Sequence, residues 1–179
     1  MRLEHYSYIA DEECMIGMLR LMAGCDREFV PRLSERSSTD QRELLPGAPV
    51  RIAGLMAYYK HLLSQSVIAA YSDDGTLAGF LSYRPDFRSD DVPLPDDRRA
   101  DYVTTVIVDP ALRRRGTARL MYRKLLRDNG PSFIYTRTWS TNSGHIGLLS
   151  RLGFIPLLEL RDDRGAGVST AYFGRDGDG

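Results

Sequence analysis

Apolar residues recur at two different periods along this chain, and the switches between them mark the elements. Residues 3–9 alternate roughly and are β-rich, which predicts a first strand. Asp11 suits a helix N-cap, and Met15, Met18, Leu19 and Met22 then recur at helical spacing, predicting a helix to about Gly24. Pro31, Pro46 and Pro49 break residues 26–49, leaving room for a short helix over 39–45. Ile52, Leu55, Met56, Tyr59, Leu62 and Leu63 form the broad apolar face of a second helix over 50–65.

A hairpin follows. Residues 67–72 and 77–84 read as strands around Asp73-Asp74-Gly75, a turn sequence. Residues 85–100 carry Pro85, Pro93 and Pro95 among Asp86, Asp90, Asp91, Asp96 and Asp97, and are expected to be a mobile loop. Residues 101–108 are apolar and β-branched, as a central strand requires. A helix over 113–128, a strand over 132–139, a short helix over 143–151 and strands over 153–160 and 167–174 complete the chain. The order is β-α-α-β-β-β-α-β-α-β-β, an α/β (α+β) pattern that implies a mixed sheet covered on both faces. No repeat or composition shift divides residues 1–179, so one domain is expected.

Charge excludes some functions. Lys and Arg total 24 and so do Asp and Glu, so no overall field favours nucleic acid or an anionic membrane, and a basic site must be local. No apolar stretch approaches the ~20 residues of a membrane span, and residues 1–10 lack the apolar core of a signal peptide. Cys14 and Cys25 are too few for a disulfide framework or a zinc cluster, and no metal is expected. Together these features lead us to expect a cytoplasmic protein.

The chemistry concentrates where the central strand ends. Val106, Ile107 and Val108 run into Asp109-Pro110, then into Arg113, Arg114, Arg115, Gly116, Thr117, Ala118 and Arg119. The first turn of a helix has N–H groups without intrahelical partners and a positive dipole end, which suits a pyrophosphate. Gly116 and Ala118 keep side chains small there, and the arginines add charge. A solvated basic face, or an RNA-contacting patch, remains open on these grounds alone.

Arg113-x-x-Gly116-x-Ala118 after Val-Asp-Pro resembles the acetyl-CoA loop of the GNAT N-acetyltransferases, whose pattern is Q/R-x-x-G-x-G/A. A second stretch is similar too: Asn142, then Leu148-Leu149-x-x-Leu152-Gly153-Phe154. The resemblance extends over residues 2–174. It implies a twisted, mostly antiparallel sheet of about seven strands flanked by about four helices. It implies acetyl-CoA as cosubstrate, with Val106 to Val108 pairing its pantetheine arm like an added strand. It also implies that the N–H groups of residues 114–119 cradle the pyrophosphate and that Asn142 bonds the cofactor. Asn142 is equally suited to cap a helix, Gly153 to end one, and Phe154 and Trp139 to pack.

The implied activity is acetyl transfer to a primary amine in a ternary complex, with an N–H of Val106 or a neighbour stabilising the oxyanion. The usual acid and base are missing. The position of the family's tyrosine acid is Leu149, and that of the glutamate base of some protein N-terminal acetyltransferases is Arg137. Asp101 and Tyr102 at the start of the central strand are the candidate catalytic residues. Glu28, Glu35 and Tyr83 rank behind them, and a relay through water needs none. An acidic loop over 85–100 would suit a cationic acceptor, although Arg84, Arg88, Arg98 and Arg99 dilute it. Expected partners are acetyl-CoA and an amine, on a small molecule or a protein, with neither nucleic acid nor membrane and with a homodimer left open. The alternative is a CoA-binding regulatory module with little or no turnover.

Overall fold

The computed structural model describes residues 1–39 and 52–177. Its seven strands form one sheet in the order β1-β2-β3-β4-β5-β7-β6. Strands β1 (Arg2–Tyr6), β2 (Ser66–Tyr71), β3 (Leu77–Arg84) and β4 (Ala100–Val108) make an antiparallel ribbon. Strands β5 (Phe133–Trp139), β7 (Thr170–Asp176) and β6 (Ile155–Leu160) make a second one. The two ribbons meet along β4 and β5, which run parallel.

Four α-helices lie among the described residues. Helix α1 (Glu12–Cys25) starts as its sequence predicts: Asp11 has an extended backbone and its carboxylate accepts the Glu13 N–H at 3.0 Å. Helix α2 (Ile52–Leu63) packs beside α1. The expected start of α2 at Val50 lies outside the described residues, as does the short helix expected over 39–45 beyond Thr39. Helices α3 (Thr117–Asp128) and α4 (Ser143–Arg151) follow β4 and β5.

Alternation along the strands sorts the core into layers. Val67, Ala69 and Phe80 face α1 and α2, where Met18, Met22, Tyr58 and Leu62 are buried. Ile68, Ala70, Leu81 and Val103 face Met121, Tyr122, Leu125 and Leu149 of α3 and α4. With both faces covered, every residue of β2 is buried, which is why its sequence is a continuous run of apolar and small residues. Residues 85–99 contain no helix or strand, but Val92 is buried, and Phe87 and Leu94 pack on the Tyr102–Tyr135 cluster.

Several boundaries differ from the sequence reading. Helix α3 begins at Thr117 rather than Arg113, because Arg114 and Gly116 adopt positive φ (63° and 84°) and cannot continue a helix. Strand β6 begins after Gly153 and Phe154, which close α4: the Phe154 N–H bonds the Leu149 carbonyl at 3.0 Å while Gly153 takes a φ of 82°.

One irregularity shapes the sheet. The β3–β4 register steps from Ser82↔Thr105 to Tyr83↔Val103, so Thr104 is an extra residue on β4. Such a bulge bends its strand and increases the local twist. Pairing of β4 with β5 stops at the same level, at Val103↔Thr136. Beyond it, Thr104 to Val108 follow β3 while Arg137 to Trp139 follow β7. The ribbons splay, and a fork opens between them.

Candidate active site

A cavity of about 840 Å³ occupies this fork. One wall is β4 from Thr104 to Val108, the other is β5 from Thr136 to Trp139, and residues 113–119 close one end. The polarity of the β4 wall follows from strand geometry. The Asp109 N–H bonds the Ala78 carbonyl, on the β3 side, at 2.8 Å. Main-chain polar groups alternate sides along a strand, so Ile107 also faces β3, and Val106 and Val108 face the fork. The Val108 carbonyl accepts a 3.1 Å bond from Arg113 Nε, consistent with that direction. The N–H groups of both valines and the Val106 carbonyl are thus presented as an open strand edge.

The loop beyond β4 continues this edge. Residue Gly116 takes the N-cap position of α3 and has no side chain with which to bond the first-turn N–H groups. Those groups have no partner within the helix, and the dipole makes them an anion site. The left-handed Arg114 and Gly116 turn the preceding backbone toward the same place. Thr117, 2% exposed, lines the cavity, and among the described residues its hydroxyl has no hydrogen-bond partner. A buried hydroxyl is rarely left unpaired, so this one is suited to a polar ligand.

The three consecutive arginines divide their tasks. Arg113 is spent on the protein itself: besides the Val108 carbonyl, it pairs with Glu28 at 2.7 Å and reaches Cys25 Sγ at 3.4 Å. It therefore positions the loop. Arg114 and Arg115 are exposed at the cavity rim. Asn142 caps α4, accepting the His145 N–H at 3.2 Å, donates to Thr138 Oγ1 at 3.1 Å, and lines the cavity.

All eleven cofactor candidates, Val106 to Val108, Arg113 to Arg119 and Asn142, therefore line the one cavity. The two catalytic candidates do not. Asp101 is fully buried at the other end of β4, where it accepts the Asn129 side-chain amide at 2.7 Å and the Asp86 N–H at 2.9 Å and pairs with Arg99 at 3.1 Å. Tyr102 is 3% exposed and stacks on Tyr135 at 4.8 Å. Both are held by the core rather than presented to the fork. Glu28 lines the cavity, but its carboxylate is the partner of Arg113. Leu149, at the family's tyrosine position, points into the α3–α4 core; Leu148 and His145 line the cavity instead.

Sequence reasoning missed His145 and a cluster of arginines. His145 bonds Tyr122 Oη at 2.9 Å, and burial pushes its pKa down to about 4, so the ring is neutral at pH 7. Arg36, Arg137 and Arg164 converge on the cavity at the base of the fork. They come from an irregular segment, from β5 and from the β6–β7 connection, so no spacing in the chain announces them. Among the described residues no group of three or more His, Cys, Asp or Glu is placed to hold a metal ion, and no described helix is long and apolar enough to cross a membrane.

The fold is shared with known proteins. The chain is similar in structure to the ribosomal-protein-alanine N-acetyltransferase of Brucella melitensis (16% identity, TM-score 0.66, 98% of this chain and 99% of that one). It is equally similar to yncA of Salmonella typhimurium, a structure containing acetyl-CoA (17%, TM-score 0.65, 100% and 96%). A third is Arabidopsis thaliana NAA60 with a bisubstrate analogue (15%, TM-score 0.66, 99% and 100%). At these identities the likeness is one of fold. No curated protein matches by sequence. The acetyltransferase (GNAT) family profile, however, matches residues 31–154, well over half of the sequence, and its span takes in both the open edge of β4 and the loop leading into α3; this chain belongs to the acetyltransferase (GNAT) family.

Proposed function

We propose that the protein is an N-acetyltransferase that binds acetyl-CoA in the fork and transfers its acetyl group directly to a primary amine. The observation that carries this reading is the continuity of the open β4 edge with the uncapped start of α3 and the unpartnered Thr117 hydroxyl. An extended amide-bearing arm beside Val106 and Val108, leading to a pyrophosphate at residues 114–119, satisfies all three features. Asn142 contributes an amide on the opposite wall. The yncA structure, which contains acetyl-CoA, has the same fold.

When bound, the cosubstrate supplies an activated thioester. The chain supplies the rest. The N–H groups along the Val106–Val108 edge are fixed donors for charge developing on a carbonyl oxygen. An alkylammonium has a pKa of ~10.4 in water, and a cation beside Arg36, Arg137 and Arg164 is disfavoured, so this wall promotes the neutral, nucleophilic amine. The proton that leaves the amine nitrogen on transfer is the one that the departing thiolate takes up, by way of solvent in the cavity, so the exchange leaves no side chain in an altered charge state; His145, held neutral and bonded to Tyr122, lines this path as an uncharged polar wall.

Calorimetry with acetyl-CoA, together with thiol release across a panel of amines, tests the proposal. Micromolar binding with amine-dependent release of CoA is expected. Absence of binding by the folded protein would overturn it. The second reading, a CoA-binding module without turnover, draws on the cavity's one described carboxylate, Glu28, being engaged by Arg113. Binding without release for any amine would favour that reading.

A further inference from the structure

The arginine cluster has a chemical requirement that the acetyl donor does not meet. Arg36 is 9% exposed and Arg164 3%, and Arg137 is half-buried between them. Arg36 donates through Nε and Nη2 to the Pro31 carbonyl at 3.1 and 2.9 Å, and its guanidinium lies over the rings of Phe29 and Tyr58 at 5.3 and 5.9 Å. Arg164 bonds Thr170 Oγ1 at 2.9 Å and the Val30 carbonyl. Arg137 reaches the Tyr172 hydroxyl at 3.4 Å and the Thr39 carbonyl at 3.3 Å. Every one of these acceptors is neutral. Among the described residues, no carboxylate forms an ion pair with any of the three.

Three guanidiniums beside one another in a cleft repel, and each gives up part of its hydration. Burial, and then the charges of Arg36 and Arg137, push the pKa of Arg164 down to about 9. Arg36 is displaced the same way, chiefly by burial. If these side chains served only to tie down carbonyls, neutral amide side chains would do so without the repulsion. The nearest described carboxylate, Asp163, accepts from the Thr170 hydroxyl and offsets the charge of Arg164 only in part. A bound anion relieves the remaining repulsion and fills donors that the described residues leave with neutral partners.

The cluster also lies in a particular place. Thr136 is level with Val103, so the next residue, Arg137, sits at the base of the fork. It shares a face with Tyr135 and Trp139, and Trp139 contacts Phe29 at 5.7 Å, so this is the face covered by α1 and α2. The loop into α3 and the start of α4 belong to the other face. The fork is thus a slot through the sheet with a cationic pole on each side. The pole at residues 113–119 matches the pyrophosphate; the pole at Arg36, Arg137 and Arg164 is left for the acceptor.

We infer that the acceptor amine also carries an anionic group, a carboxylate or a phosphate, which seats against Arg36, Arg137 and Arg164. The inference rests on the acetyltransferase reading and narrows its substrate class. It replaces the cationic acceptor that the aspartates of residues 85–100 would have suited. Of these, Asp96 pairs with Arg88 and Asp97 with Arg98, and neither lines the cavity.

The test has a binding arm and a turnover arm. The protein is saturated with CoA to fill the α3 pole, and melting is followed with inorganic phosphate or acetate against sodium chloride at equal ionic strength. Either anion is expected to raise the melting temperature of wild type, Arg137→Gln to lose most of the shift, and Arg137→Lys to recover part of it. In the turnover arm, O-phosphoethanolamine is compared with ethanolamine, and amino acids with their amides, which separates phosphate from carboxylate acceptors. The anionic member of the preferred pair is expected to show a kcat/KM about 100-fold higher or more, as a desolvated charge contact gives, and Arg137→Gln to erode that ratio mainly through KM. Calorimetry with acetyl-CoA should give the same Kd for wild type and Arg137→Gln. An absent anion shift, an equal shift in Arg137→Gln, or preference for the uncharged member overturns the inference while leaving acetyl-CoA binding intact. Failure of acetyl-CoA to bind would instead remove the reading beneath it. The binding arm decides even where no amine in the panel is acetylated.

Discussion

Replacing Gly116 separates the shape of the α3 loop from its charge. A Cβ built at this position meets nothing closer than the Arg119 guanidinium at 3.7 Å, an ordinary contact, so Gly116→Ala fits sterically. It must still adopt a φ of 84°, a left-handed conformation that costs an L-residue about 1–2 kcal/mol. Gly116→Asp bears less of that strain, because Asp tolerates this region and is a favoured N-cap. Both variants should therefore remain folded. Their effects on ligand differ. A carboxylate about 5 Å from a phosphate, at an effective dielectric near 20, is repelled by about 3 kcal/mol, or more than 100-fold in affinity. Alanine removes no charge and adds one methyl group, so its effect on Kd should be several times smaller. The assay is calorimetric titration of wild type and both variants with acetyl-CoA, with melting curves as a check on folding. Equal affinity of Gly116→Asp and wild type would refute the placement of the pyrophosphate. Equal losses in the two variants would show that backbone strain, not charge, is what the ligand senses.

Other expectations follow from the same geometry. His145 stays neutral in the folded protein down to about pH 4, whereas the unfolded chain takes up its proton below 6.5; stability is therefore full above pH 6.5 and falls toward pH 4, by up to about 3 kcal/mol. Urea unfolding at pH 7 and 4.5 should show a smaller loss in His145→Gln than in wild type, and equal losses would contradict the neutral ring. Asp101→Asn should destabilise the fold by about 1–3 kcal/mol, because an amide then faces the Asn129 donor, while kcat of the folded enzyme is unchanged. A large fall in kcat at full folding would restore Asp101 as a catalytic residue. Gly54→Ala should lower the melting temperature despite alanine's better helix propensity, since the added methyl overlaps the Ser34 carbonyl; no change would mean that α2 can move away from residues 33–35.

Much of this fold can be read along the chain because its signals are local. Asp11 before an apolar stripe, Asp73-Asp74-Gly75 between two strands, and Asn142 and Gly153 at the ends of α4 each act within a few residues. The side of the fork that we assign to the cofactor is equally legible, since residues 106–119 form one continuous strand, turn and helix start. The errors came where local chemistry met longer-range geometry. Three arginines read as a uniform basic loop, but Arg113 turns back to Glu28 and Val108, a contact whose acidic partner lies 85 residues away in sequence. Asp101 read as a candidate because of its place on the central strand, yet its face of that strand belongs to Asn129 and Arg99. The arginine cluster that we assign to the acceptor was illegible for the same reason. Arg36, Arg137 and Arg164 become neighbours only once β5, β7 and the irregular segment before Thr39 are assembled.

The parallel seam between β4 and β5 consists of four residue pairs, Ala100 to Val103 with Phe133 to Thr136, and it joins two antiparallel ribbons. Mechanically, the sheet is two plates on a short hinge. A ligand laid along the Val106–Val108 edge extends that hinge toward the open end of the fork, and one held by Asn142 or Arg137 grips the second plate as well. Occupancy should then be registered far from any ligand contact, as slower amide exchange in the seam strands and as a coupled rather than a stepwise release of the two plates on unfolding.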